Sequence, residues 1–148
     1  MEIKDIRQQL LARLKREKNG AVVDAVDALV EKTMFSYGVS LPTIKMIASQ
    51  YKGNHELALN LFQSNIRELK LSAIYICDPE LVNLEQVKEW TESLTSLELI
   101  ENVTFALFSK CDIAEDIIEF WSQQNIPLLG KGVELLKLHR RRFLGVSL

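Results

Sequence analysis

Apolar residues recur at helical spacing along nearly the whole chain, with polar residues filling the intervals. Met1 to Lys18 reads as a helix, with Ile3, Ile6, Leu10, Leu11 and Leu14 on one stripe. Arg13, Lys15, Arg16 and Lys18 gather in its last turns, where cations suit the negative end of the helix dipole. Asn19-Gly20 ends it. Ala21 to Lys32 reads as a second helix with Val22, Val23, Val26, Leu29 and Val30 inward, and Met34 to Gly38 as a turn.

Three short helices are predicted between Tyr37 and Pro79. The first starts at Ser40 or Leu41, with Pro42 in the opening turn, where its missing N–H costs nothing. Ile44, Ile47 and Ala48 carry its apolar face until Lys52-Gly53-Asn54 stops it. His55 to Gln63 forms the second, burying Leu57, Ala58, Leu61 and Phe62. Asn65 is expected to cap the third, with Glu68 completing a capping box. Ile66, Leu69, Ala73 and Ile76 line its inner stripe, while Arg67 and Lys70 share another face.

Beyond Asp78-Pro79, Asn83 is expected to cap a helix to about Ser93, with Leu84, Val87 and Trp90 inward. Thr95 is the predicted cap of the next, Ser96 to Lys110, with Glu98 three residues on. That helix is apolar on most of its circumference, including Leu97, and its polar stripe is narrow: Glu98, Glu101, Asn102 and Ser109. Asp112 is the predicted cap of a helix through Gln123, Glu115 completing its box. Asn125-Ile126-Pro127 opens a last long helix to about Arg142, on which Lys137, Arg140 and Arg141 form a basic arc.

No stretch alternates as a strand would. About eight or nine helices with short connections make an all-α fold. Pairs recurring every ~35–45 residues have the period of HEAT-type solenoids, and a compact bundle satisfies the same periodicity. The length of 148 residues suits a single domain over 1–148.

Composition adds limits. No run approaches the ~18 apolar residues of a membrane span, and Lys4, Asp5 and Arg7 interrupt any leader-like start. Cys77 and Cys111 are too few for a disulfide framework and read as two reduced thiols in a cytoplasmic protein. Net charge is −2 but unevenly spread: +3 over residues 1–20, zero over 21–77, −9 over 78–119 and +4 over 120–148. Any nucleic-acid site is therefore a local basic patch. His55 and His139 lack a second ligand at metal spacing, and the six glycines form no phosphate loop, so neither a metal nor another cofactor is expected.

One set of residues resembles a known family. Gly38-Val39, Pro42, Ile44-Lys45, Ile47-Ala48, Leu57-Ala58, Leu61-Phe62, Arg67-Glu68 and Ala73 look like the DNA alkylation repair family of AlkD-like alkylpurine DNA glycosylases. The likeness is strongest over Tyr37–Pro79 and continues more weakly to Lys137. It implies an α-solenoid of HEAT-like antiparallel helix pairs whose basic face binds double-stranded, damaged DNA.

In the active members a carboxylate and a tryptophan lie one helical turn apart. By the resemblance, Glu101 falls at the carboxylate and Leu97 at the tryptophan. A carboxylate near the N-glycosidic bond stabilises developing positive charge or positions water. Leu97 offers no aromatic face for a cationic base. Lys131 stands only approximately where the family has an arginine, and the sequence stops at Leu148, before a further tryptophan, so a shortened member is expected. The expected DNA contacts are Lys45, Arg67, Lys70, Lys131, Lys137, Arg140 and Arg141.

The reading is a DNA-binding protein of this family with weak or lost N-glycosylase activity. The alternatives are an active alkylpurine glycosylase using Glu101, and a helical scaffold for a protein partner, to which the acidic middle points.

Overall fold

Five of the described helices begin where a side chain or a backbone carbonyl accepts a free N–H of the first turn, and these acceptors fix their boundaries. The computed structural model describes residues 2–18 and 34–146, all of whose regular elements are helical. The helix expected over Ala21–Lys32 lies outside the described residues. The chain divides into two compact units, residues 1–78 and 79–148.

In the first unit, α1 (Ile3–Arg16) buries Leu10 and Leu14 against α2 (Leu41–Ala48) and α3 (His55–Phe62). Arg7 also ties it to α3, donating to Asn60 Oδ1 at 3.0 Å. The start falls at Leu41, one of the two positions expected, and Ser40 caps α2 by accepting from the Thr43 N–H. A single 3₁₀ turn, Ser49–Tyr51, extends α2, and Gly53 follows at φ 90°, a left-handed conformation that suits glycine. The Gly53 N–H donates to the Ile76 carbonyl at 2.8 Å, and Asn54 caps α3 by accepting from Leu57 N–H.

The next helix, α4 (Arg67–Ile76), departs from expectation at its start. Ile66 is the capping residue and makes no side-chain cap, so Asn65 and Glu68 form no capping box. Met34 to Gly38 is not a simple turn either. Phe35 runs extended beside Ile66: its N–H donates to Asn65 O at 2.9 Å, and its carbonyl accepts from Arg67 N–H at 2.8 Å. A backbone carbonyl thus does the capping, and Glu68 is freed for other donors. Every residue of α4 except Tyr75 is buried. Burying each of its large aliphatic side chains contributes roughly 1.5–3 kcal/mol.

In the second unit, a 3₁₀ turn at Pro79–Leu81 precedes α5 (Leu84–Thr91), which Asn83 caps through Gln86 N–H at 2.8 Å. Ser96, not Thr95, caps α6 (Leu97–Ala106), accepting from Leu99 N–H. The helix also stops short of Lys110. The Thr104 hydroxyl donates back to the Ile100 and Glu101 carbonyls, and Ser109 to Phe105 O, a pattern that bends helices. Leu107 breaks the path (φ −127°, ψ −66°), and Phe108–Lys110 closes as a 3₁₀ turn.

No side chain caps α7 (Ala114–Ser122); Asp112 and Glu115 form no capping box there. The long α8 (Pro127–Leu144) packs on both α6 and α7. Gly132 makes this approach close: a Cβ there would lie 2.8 Å from the ring of the fully buried Trp121. Trp90, expected inward, and Trp121 are both core, and Trp121 Nε1 donates to Thr91 Oγ1 at 3.0 Å.

Candidate nucleic-acid interface

Three of the residues singled out from sequence sit at the start of α4 or one turn into it. Arg67 is 2 % exposed, and its guanidinium donates to Val39 O and to Glu68 Oε2, both at 2.9 Å. Glu68 is fully buried and also accepts from Ser36 Oγ, Tyr37 N–H and Val39 N–H at 2.9–3.1 Å. Lys70 is buried too: Nζ donates to Phe62 O at 2.7 Å and lies 4.2 Å from the Phe62 ring centroid. Burial lowers its pKa to about 8. Arg67 and Lys70 are thus cations turned to internal acceptors, where a phosphate does not reach their polar atoms. Lys45 is the exposed one of the three basic candidates in this unit, with Nζ 5.2 Å from the Tyr75 ring centroid.

The second unit holds the other candidates. Glu101 is exposed on α6, but the outward stripe around it is not the polar one expected. Leu97 faces outward at 42 % exposure, as does Phe105 at 55 %, while Asn102 and Ser109 are buried. The outward stripe of α6 is therefore Leu97, Glu101 and Phe105, an acid between two apolar side chains. The inward turn of Asn102 is explained by its side-chain amide donating to Glu98 O at 2.8 Å.

On α8 the predicted basic arc divides. Arg140 donates to Glu115 Oε1 at 3.1 Å and to Ser109 O at 3.0 Å, clamping α7 and the 3₁₀ turn to α8. Its own backbone N–H, with Arg140 beside it, holds the Glu115 carboxyl below the usual carboxylate range against a smaller opposing effect of burial. Lys137 and Arg141, one turn apart, are exposed. Lys131 is exposed as well, within 3.8 Å of Glu134, a surface pair of little energetic weight.

A family model described as DNA alkylation repair enzyme matches residues 8–128. The chain belongs to the DNA alkylation repair enzyme family. No curated protein and no solved structure matches it.

Family membership covers both units by sequence and includes Lys45, Arg67, Lys70, Leu97 and Glu101; the cations of α8 lie beyond the matched residues. Among the described residues, no three His, Cys, Asp or Glu side chains converge as a metal site, and no helix is long and apolar enough to cross a membrane.

Sequence reasoning passed over Phe105 and Phe143, and weighed His139 as a metal ligand alone. Phe105 meets His139 edge-on, 5.3 Å between centroids, and Phe143 is 52 % exposed. The available signal was spacing: Phe105 stands four residues after Glu101, and Phe143 directly follows Arg140-Arg141-Arg142.

Proposed function

We propose that this member of the DNA alkylation repair family binds double-stranded DNA, damaged DNA included, and retains little or no N-glycosylase activity. Both units then belong to one HEAT-like repeat domain over 1–148, a reading supported by the family match running across the unit boundary. The observation that carries the reading is the exposed pair Lys137 and Arg141 on a chain of this family. Phosphate neutralisation by such cations releases counterions and gives salt-sensitive affinity. Lys45 and Lys131, also exposed, extend the contact set. Arg140 supports it from within by fixing α8, and Arg67 and Lys70 hold α4 in place.

Weak activity follows from two features of α6. Leu97 supplies no aromatic face to a cationic base, and Glu101 stands in water, which screens its charge. The thiols Cys77 and Cys111, both buried and outside any disulfide, fit a cytoplasmic setting. An active glycosylase using Glu101 is the second reading, favoured by the position of that carboxylate inside the matched residues.

Fluorescence anisotropy with labelled duplex DNA, plain and carrying an abasic-site mimic, tests the proposal across a salt series. Binding should weaken steeply with salt. Lys137→Glu with Arg141→Glu should lower the slope of log affinity against log salt by about 2, one phosphate each. Absence of binding at low salt overturns the proposal.

A further inference from the structure

Phe105, Ser109, Lys110, His139, Arg142 and Phe143 line a cleft of about 210 Å³ between the end of α6 and the last turns of α8. We propose that this cleft is a stacking site for one unpaired nucleobase, with Lys110 and Arg142 taking the phosphates beside it. This ligand class rests on the nucleic-acid reading above, but not on the duplex contacts of Lys137 and Arg141.

Size sets the first limit. The cleft is smaller than the roughly 300–1,000 Å³ of pockets that enclose drug-sized ligands, and suits a single ring system. Its walls are flat. Phe105 and Phe143 are each more than half exposed, an unusual placement for two large apolar rings on one cleft. His139 lies edge-on to Phe105, and burial, then Arg142, push its pKa below the usual histidine range. At neutral pH its imidazole is therefore an uncharged planar surface. The Phe143 ring is backed by Arg140, whose guanidinium carbon lies 5.7 Å from the centroid while Glu115 and Ser109 O hold it. Aromatic walls fixed in this way lose little freedom when a base stacks on them.

Charge selects the occupant. Residues 78–119 carry eleven acids and two bases, yet one of those two bases, Lys110, lines this cleft. Arg142 lines it as well, and among the described residues no carboxylate does. Aromatic faces combined with cations are the pattern by which proteins hold unpaired bases and their backbone. Phe105 also stands one turn beyond Glu101 on α6, and Glu101 itself does not line the cleft.

The test compares three labelled probes by anisotropy: a short single strand, a duplex with one extrahelical adenine, and the fully paired duplex. In the Phe105→Ala, Phe143→Ala double variant, affinity for the first two should fall about 10- to 100-fold, as loss of base stacking does. The paired duplex should change less than about twofold. Both rings are half exposed, so the variant should retain its fold by circular dichroism. Unchanged single-strand and bulged-duplex affinity overturns the cleft and leaves the duplex reading standing if the paired probe still binds. Ring-dependent binding of the single strand without binding of the paired probe keeps the cleft and removes the duplex reading. Silence of all three probes overturns both. As an independent measurement, a photoreactive 5-iodouracil at the unpaired position should crosslink to Phe105, His139 or Phe143; crosslinks confined to other residues overturn the assignment.

Discussion

Glu68 and Glu101 are both glutamates on ten-residue helices of one chain, and they occupy opposite environments. Glu68 is fully buried and accepts from a serine hydroxyl, two backbone N–H groups and a guanidinium. Glu101 faces solvent between Leu97 and Phe105. The resemblance directs attention to Glu101 for chemistry, yet Glu68 has the dense interactions. A carboxylate withdrawn from water and saturated with donors fixes structure; one left in water is available to a ligand and adds little to stability.

The largest effect should come from breaking the Glu68 hub. Glu68→Ala leaves the Arg67 guanidinium without its buried counter-charge and orphans the Tyr37 and Val39 N–H groups. Removing one partner of a buried pair costs about 3–5 kcal/mol, so urea unfolding should show a loss of that size or an unfolded first unit. A loss under about 1 kcal/mol would mean that the hub does not hold Ser36–Val39 to α4.

Lys70, two residues on, gives a pH signature. Its folded pKa of about 8 lies below the ordinary lysine value of 10.5. Below pH 8 the folded and unfolded chains both hold the proton, and the cost of burying the charge is present in full. Between about pH 8 and 10.5 the unfolded chain holds more protons, so stability from this group rises with pH. The gain is at most about 3 kcal/mol. Lys70→Met should remove it, read as the difference between the two chains in urea midpoints from pH 7.5 to 10.5. Parallel curves for the two proteins would overturn the assignment.

A smaller effect separates two adjacent residues. Ser96→Ala should cost about 1 kcal/mol by removing the cap on Leu99 N–H. Thr95→Ala, at an exposed position, should stay within about 0.5 kcal/mol. Equal losses in thermal melts would place the cap elsewhere.

These residues also mark what was legible in the sequence. Apolar periodicity gave the all-α class and the existence of each described helix, because burying one stripe is the main driving force for such elements. The cap at Asn83 was legible because it depends on a side chain and an N–H three residues away, and the start at Ser40 or Leu41 was read to within one residue. At α4 the same local pattern, Asn65 followed by Glu68, failed because the competing donors and acceptor come from Phe35–Val39, about thirty residues earlier. The basic arc failed at Arg140 for the same reason, its acceptors being on Glu115 and Ser109. Helical spacing cannot say which of several like charges finds a distant partner. The cleft at Phe105 and Phe143 was hidden because the break at Leu107 reorients the end of α6, and that break arises from Thr104 and Ser109 hydroxyls, not from a glycine or proline.

Glu101→Gln should produce the smallest change in stability and the most informative one in function. The side chain is exposed, so unfolding free energy should move by less than about 0.5 kcal/mol. Duplex affinity should rise slightly, since the substitution removes one negative charge from a surface that phosphates approach. Base release from alkylated DNA should remain near background in both proteins. A working general acid or base contributes about 10²- to 10⁴-fold, so a glycosylase that relied on Glu101 would lose activity on that scale in the amide. Robust release by the wild type, abolished in Glu101→Gln at unchanged stability, would therefore reverse the contrast with Glu68: exposure would be the property that lets Glu101 reach the glycosidic bond. Release that persists in the amide would instead direct the search for the reacting group away from Glu101.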